Sequence, residues 1–139
     1  MPIKLIKQLI EEAEINPSAL TDEVNAKDHF EIARLLHQLS AKGKVLVFNS
    51  LNSDRKRQEV LYETDLDSRL EIENSLDREY LARLLGNMPE DEATDLIQEL
   101  NPDTQEQIFN QMEVKNATII KDLITYEEET AGGLMVLKF

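Results

Sequence analysis

Residues 84–112 read LLGNMPEDEATDLIQELNPDTQEQIFNQM, and the spacing of their apolar side chains decides the fold. Leu84-Leu85 are followed by Met88, Leu96-Ile97 by Leu100 and Ile108-Phe109 by Met112, so the third members recur every twelve residues. Between the apolar groups stand Pro89-Glu90-Asp91 and Asn101-Pro102-Asp103. Proline and acids belong in a first helical turn, where the missing N–H costs nothing and the helix dipole favours negative charge. Each unit therefore reads as a helix of about two turns that starts at a short polar hinge.

Working outward, the same pattern holds upstream: Leu35-Leu36 with Leu39, Val47-Phe48 with Leu51, then the hinge Asn52-Ser53-Asp54. Glu63 stands where the next third member is due, and a one-residue slip places Val60-Leu61, Ile72 and Leu76 between the two clean runs. At the N-terminus Ile3, Ile6, Leu9, Ile10 and Ala13 fall at helical spacing, with Pro17 expected to close that segment. Only four glycines and four prolines punctuate the chain, and strand-like alternation is almost absent, so the fold class is all-α. Helices this short are unstable alone because nucleation is costly, and a sustained period is the signature of a solenoid or superhelix of stacked helices. Dividing the chain by its repeat predicts about eight to ten short helices winding around one axis.

The 139 residues carry 28 Asp plus Glu against 15 Lys plus Arg, a net charge of −13. With 41% apolar residues the chain can bury an ordinary core. The acidic balance argues against nucleic acid, whose partners show a basic face, and against docking to anionic lipid. Cations and basic partners are the ligands it favours. There is no cysteine, hence no disulfide framework and no thiolate zinc site. Lys7, Glu11 and Glu12 interrupt the first apolar stretch, so neither a signal peptide nor a membrane span is expected.

Few residues suggest catalysis, and no enzyme activity is expected. His29 and His37 lie eight apart without a serine or cysteine partner, and read as ordinary surface or core histidines. Gly132-Gly133 has no preceding strand and no following Lys-Ser/Thr, so no phosphate loop is present. An EF-hand at Asp65 fails, because Arg69 falls among the ligands and Leu70 where glycine must be. Asp65 and Asp67 read instead as a solvated helix start, with Arg69 compensating their charge. Seven aromatic residues, none tryptophan, speak against a sugar-cleaving pair of carboxylates. A basic membrane-anchoring face on residues 3–13 is spoiled by Glu11, Glu12 and Glu14.

The informative segment runs from Leu84 to Val114. It holds no Lys or Arg, yet carries Glu90, Asp91, Glu92, Asp95, Glu99, Asp103, Glu106 and Glu113. On a helix beginning near Pro89, Asp91, Asp95 and Glu99 form one stripe, opposite Ala93, Leu96, Ile97 and Leu100. Like charges one turn apart cost a few tenths of a kcal/mol per pair. A hard divalent cation offsets that cost, and Mg²⁺, which keeps several waters, suits a sparse stripe. A solvated face that keeps the protein soluble accounts for the same pattern.

The stretch Tyr126-Glu127-Glu128-Glu129-Thr130-Ala131-Gly132-Gly133-Leu134-Met135 resembles the junction motif of MgtE-type magnesium transporters, in which Tyr-x-x-Glu-x-Ala-Gly-Gly-Leu-Met ends the cytosolic N-terminal domain and opens the first of two CBS domains. The helical repeat upstream is similar to that N domain, a right-handed superhelix of short helices, so the resemblance covers essentially the whole chain. It implies a superhelical domain over residues 1–125 and a junction segment over 126–139. Val136-Leu137-Lys138-Phe139 depart from the family's usual threonine and proline.

The resemblance implies a Mg²⁺-sensing regulatory domain at the cytoplasmic face of the cell membrane, within a parent that is a homodimeric transporter. It places the family's acidic positions on Glu59 (in Arg57-Gln58-Glu59-Val60-Leu61), Asp91 and Asp95. CBS domains of the same parent chain would supply the facing acids, and regulatory Mg²⁺ would bridge the two surfaces and close the pore when the ion is abundant. The alternative is a helical protein-interaction scaffold resembling the helical domain of flagellar motor-switch proteins, against which the Gly-Gly-Leu-Met junction speaks.

Overall fold

In the computed structural model the backbone is described for residues 3–137 and the side chains for residues 3–128. Among the described residues there are ten α-helices and no strand. They are α1 (Ile3–Glu11), α2 (Pro17–Asn25), α3 (His29–Leu36), α4 (Ala41–Ser50), α5 (Asp54–Glu63), α6 (Leu66–Ser75), α7 (Arg78–Gly86), α8 (Glu90–Gln98), α9 (Pro102–Gln111) and α10 (Val114–Leu137). The first nine have eight to ten residues each, and α10 has 24.

The hinges are helix starts, as their composition predicts. Ser53 caps α5 by accepting from the Lys56 amide, Asn101 caps α9 through the Thr104 amide, and Pro89 stands at the N-cap of α8. Asp28, Ser40, Asp65 and Asp77 cap α3, α4, α6 and α7 in the same way. Pro17 does not close the first helix. That helix ends at Glu11, and Pro17 opens the next one, where its fixed φ suits the first helical turn.

The chain divides into two compact units, residues 1–76 and 77–139. In the first, α1 packs on α2 and α4, α2 on α4, α3 on α4 and α5, and α4 on α6. In the second, α7 packs on α8 and α9, and α8 on α10. Pairing with the second neighbour along the chain is how a stack of short helices closes a continuous apolar seam. Leu36, Val47, Phe48, Val60, Leu61 and Ile72 fill the first unit's core; Leu81, Leu85, Ala93, Ile97 and Ile108 fill the second's.

The repeat does not break in its middle; polar residues take apolar positions. Thr64, 3% exposed, occupies the place of the third member after Val60-Leu61, one residue later than the period demands. Glu73, 1% exposed, stands beside Ile72 where the apolar pair recurs. Arg69 is buried one turn earlier and donates to the carbonyls of Leu61 at 2.8 Å, Tyr62 at 2.9 Å and Thr64 at 2.7 Å. These lie at the carboxyl end of α5, whose last carbonyls have no intrahelical partner. Lys56 does the same for the end of α2, reaching the carbonyls of Asn25 and Lys27, and Arg57 reaches Asn49 at the end of α4 at 2.9 Å.

Candidate functional site

Asp91 and Asp95 lie on the exposed side of α8, one turn apart, opposite the buried Ala93, Thr94, Leu96 and Ile97. Glu99 continues the stripe as the C-cap residue. The first turn of α8 holds Glu90, Asp91 and Glu92, and its N-cap makes no side-chain bond to the free amides there. The positive end of the dipole therefore stabilises these carboxylates and offsets part of their mutual repulsion. Their unit carries fourteen acidic residues against five basic ones, whereas the first unit carries fourteen against ten.

Glu59 belongs to the first unit, on α5, beside the buried Val60. Its Oε1 lies 3.9 Å from Nδ1 of His29 on α3, and the carboxylate is about half exposed. The structure thus joins Asp91 and Asp95 on one helical face and gives Glu59 a histidine neighbour. Among the described residues, no three His, Asp or Glu side chains converge at metal-binding distance. Residues 129–135 of the junction motif lie outside the described side chains.

A second histidine–carboxylate pair went unseen in the sequence. His37, the C-cap of α3, has Nδ1 3.6 Å from Oδ1 of Asp65, the N-cap of α6. The pair lines a surface cavity of about 360 Å³ with Phe30, Ala33, Arg34 and Glu63. Burial pushes the Asp65 carboxyl up, but the neighbouring Ser68 side chain and amide, its own amide and His37 together hold it below the ordinary 3.8. The Ser68 amide supplies the firm bond, at 3.1 Å to Oδ2; the Ser68 hydroxyl contributes its dipole without closing a bond of full geometry. Eight residues separate the histidines and six separate their acids, so only the packing of α3 on α5 could reveal either pair. Arg69, which the sequence places near Asp65 and Asp67, also clamps carbonyls, because a buried guanidinium with five donors fits a helix end.

Together these features define a domain of stacked short helices with an acidic, solvent-facing helix and no preassembled cation cage among its described residues. Residues 28–129 match the family described as the MgtE intracellular N domain, and the chain belongs to that family. No curated protein sequence matches it. A crystal structure of the soluble part of a magnesium transporter is similar in fold, with a TM-score of 0.73 at 22% identity, over 94% of this chain and 50% of that one. The chain thus spans half the length of that solved relative. Among the described residues no helix is long and apolar enough to cross a membrane.

Proposed function

We propose that this chain is the Mg²⁺-sensing regulatory domain of a magnesium transporter, placed at the cytoplasmic face of the membrane. The observation that carries the reading is the exposed Asp91, Asp95 and Glu99 stripe of α8, in a run from Leu84 to Val114 without Lys or Arg, within a chain of the MgtE intracellular N domain family. Each of Glu59, Asp91 and Asp95 is then one part of a clamp whose remaining oxygens come from water and from CBS domains of the same parent chain, itself a homodimer. Mg²⁺ retains several waters and is usually held by one or two carboxylates, which accords with the lack of a closed cage. Facing acidic surfaces repel without the ion; with it they are bridged, and the compact arrangement is favoured by the ion's differential affinity for the two states. Compaction at high Mg²⁺ closes the pore, a negative feedback. No residue is assigned a catalytic role.

The test is protease protection of the full-length parent by Mg²⁺, with Asp91→Asn and Asp95→Asn variants whose folding is checked by circular dichroism. The wild type gains protection and the double variant loses most of it; equal protection of both would sink the reading. A helical scaffold has one supporting feature, a largely apolar groove of about 420 Å³ on α4 and α6 that includes Ala41, Val45 and Leu46. A partner seated there would bind with or without Mg²⁺.

A further inference from the structure

Three Asn-Ser pairs occur in the chain, at 49–50, 52–53 and 74–75, and the fold treats one of them differently. Asparagine is a chemically labile residue. Where a small residue follows it, the next backbone nitrogen can attack Cγ, close a five-membered succinimide and expel the side-chain amide. The attack needs a backbone nitrogen not held in a hydrogen bond, a side-chain amide without partners, and main-chain torsions free to bring the two together. A regular helix denies the first and the last, since each amide is engaged by the carbonyl four residues earlier. Asn49 with Ser50 lies in α4 and Asn74 with Ser75 lies in α6, whereas Asn52 and Ser53 lie in the hinge between α4 and α5.

Asn52 is exposed, and its side-chain amide makes no hydrogen bond among the described residues. Its own backbone N–H donates to Oδ1 of Asn25 at 3.1 Å, but the nitrogen that must attack belongs to Ser53, and that amide has no partner among the described residues. Ser53 has φ −144° and ψ 148°, extended backbone outside either helix, and its hydroxyl accepts from the Lys56 amide at 3.1 Å as the N-cap of α5. The other six asparagines are each protected. Asn16 and Asn101 precede prolines, which carry no N–H. Asn110 and Asn116 lie inside α9 and α10. After Asn87 the Met88 amide donates to the Leu85 carbonyl at 3.2 Å. Asn25 is held through both side-chain atoms: Nδ2 donates to the carbonyls of Thr21 and Ser50, and Oδ1 accepts from the Asn52 amide.

We propose that Asn52 is a site of spontaneous deamidation, the one asparagine among the described residues at which the fold leaves that reaction open. The Ser53 nitrogen bonds to Cγ of Asn52 as its proton passes to solvent base; the Cγ–Nδ2 bond breaks, and the nitrogen leaves as ammonia with a proton from water. Water then opens the ring at either carbonyl. Opening at Cγ gives aspartate; opening at the main-chain carbon gives isoaspartate, whose chain runs through Cβ and Cγ. Nothing is oxidised or reduced, and nothing in this chemistry depends on Mg²⁺. Both products add a negative charge, and isoaspartate also adds one methylene to the chain between residues 52 and 53. That methylene falls between two anchors, the Asn52 N–H on Asn25 and the Ser53 cap of α5, so the lengthened hinge releases one of them.

The experiment incubates the folded 139-residue chain and a guanidinium-unfolded sample side by side at mildly alkaline pH. Both are then digested with pepsin in acid, where ring closure is too slow to add to the signal. Tandem mass spectrometry locates each amide that has become an acid, and an isoaspartyl carboxyl methyltransferase scores the isoaspartate. In the folded chain conversion accumulates at Asn52 while Asn49 and Asn74 stay intact; in the unfolded sample all three Asn-Ser pairs convert at similar rates. Ser53→Thr keeps a capping hydroxyl but crowds the attacking nitrogen with a methyl group on Cβ, so it slows conversion at Asn52 alone. Conversion of Asn49 or Asn74 as fast as Asn52 in the folded chain would overturn the assignment. So would an Asn52 that stays intact in the folded chain for as long as the unfolded chain takes to convert.

Discussion

Replacing Arg69 with methionine is the sharpest test of how the irregular middle of the repeat holds together. The side chain is 8% exposed and donates to three carbonyls, two of them buried, at the carboxyl end of α5. Methionine fills much of the volume but offers no donor. A buried acceptor left unsatisfied costs about 1–3 kcal/mol, so two such carbonyls and a half-buried third amount to roughly 2.5–7.5 kcal/mol before relaxation. Removing the guanidinium also relieves its own desolvation, which brings the expected loss to about 3–5 kcal/mol, the range for breaking a buried charged contact. That is a large share of the roughly 5–15 kcal/mol that stabilises a domain, and it lowers the melting temperature by on the order of 10–20 °C. Urea unfolding followed by far-ultraviolet circular dichroism is the assay, since the chain has no tryptophan to report by fluorescence. Arg69→Lys, one donor group on a flexible stem, should recover part of the loss. A loss under about 1 kcal/mol for Arg69→Met would mean that water replaces the clamp and that the reasoning is wrong.

Other outcomes follow from the same contacts. Ile97→Ala empties a fully buried position on the inner side of α8 and costs about 2–5 kcal/mol, measured by the same unfolding curve. Asp91→Asn, on the outer side, relieves like-charge repulsion one turn from Asp95 but gives up the dipole's attraction in the first turn, so stability shifts by no more than a few tenths of a kcal/mol. Asp65, held below its ordinary 3.8, adds stability above that value which is lost as pH falls through its lower folded value. In Asp65→Asn this acid-side loss should shrink, as read from unfolding midpoints between neutral pH and about pH 3.

The clean parts of the repeat were legible because apolar pairs and their third members recur without exception in residues 84–112, and because each hinge carries a proline at a helix start, with Asn101 capping α9. The middle was not, since Thr64 and Glu73 hold buried positions that a hydrophobic pattern reserves for leucine. Arg69 looks like charge compensation in a linear reading. In three dimensions Lys56, Arg57 and Arg69 answer helix ends that precede them, and only second-neighbour packing shows which end each one meets. The exposed acidic side of α8 was readable from helical spacing alone. The histidine pairs were not, because each joins residues about thirty apart across α3 and the elements after it.

The burial of the cations sorts the lysines by chemistry. Lys27 and Lys44 are buried, and Lys56 is half-buried with its amine on two carbonyls; Lys27 holds Glu23 at 2.9 Å and Lys44 holds Glu71 at 2.6 Å. Lys4, Lys7, Lys42, Lys115 and Lys121 are exposed. An acylating reagent therefore meets a fast class and a slow class, since burial and a bonded partner close off the reagent's approach to the amine. Among the described residues the slow lysines all lie in residues 1–76, so the rate at which that class becomes reactive counts openings of the first unit and is blind to the second.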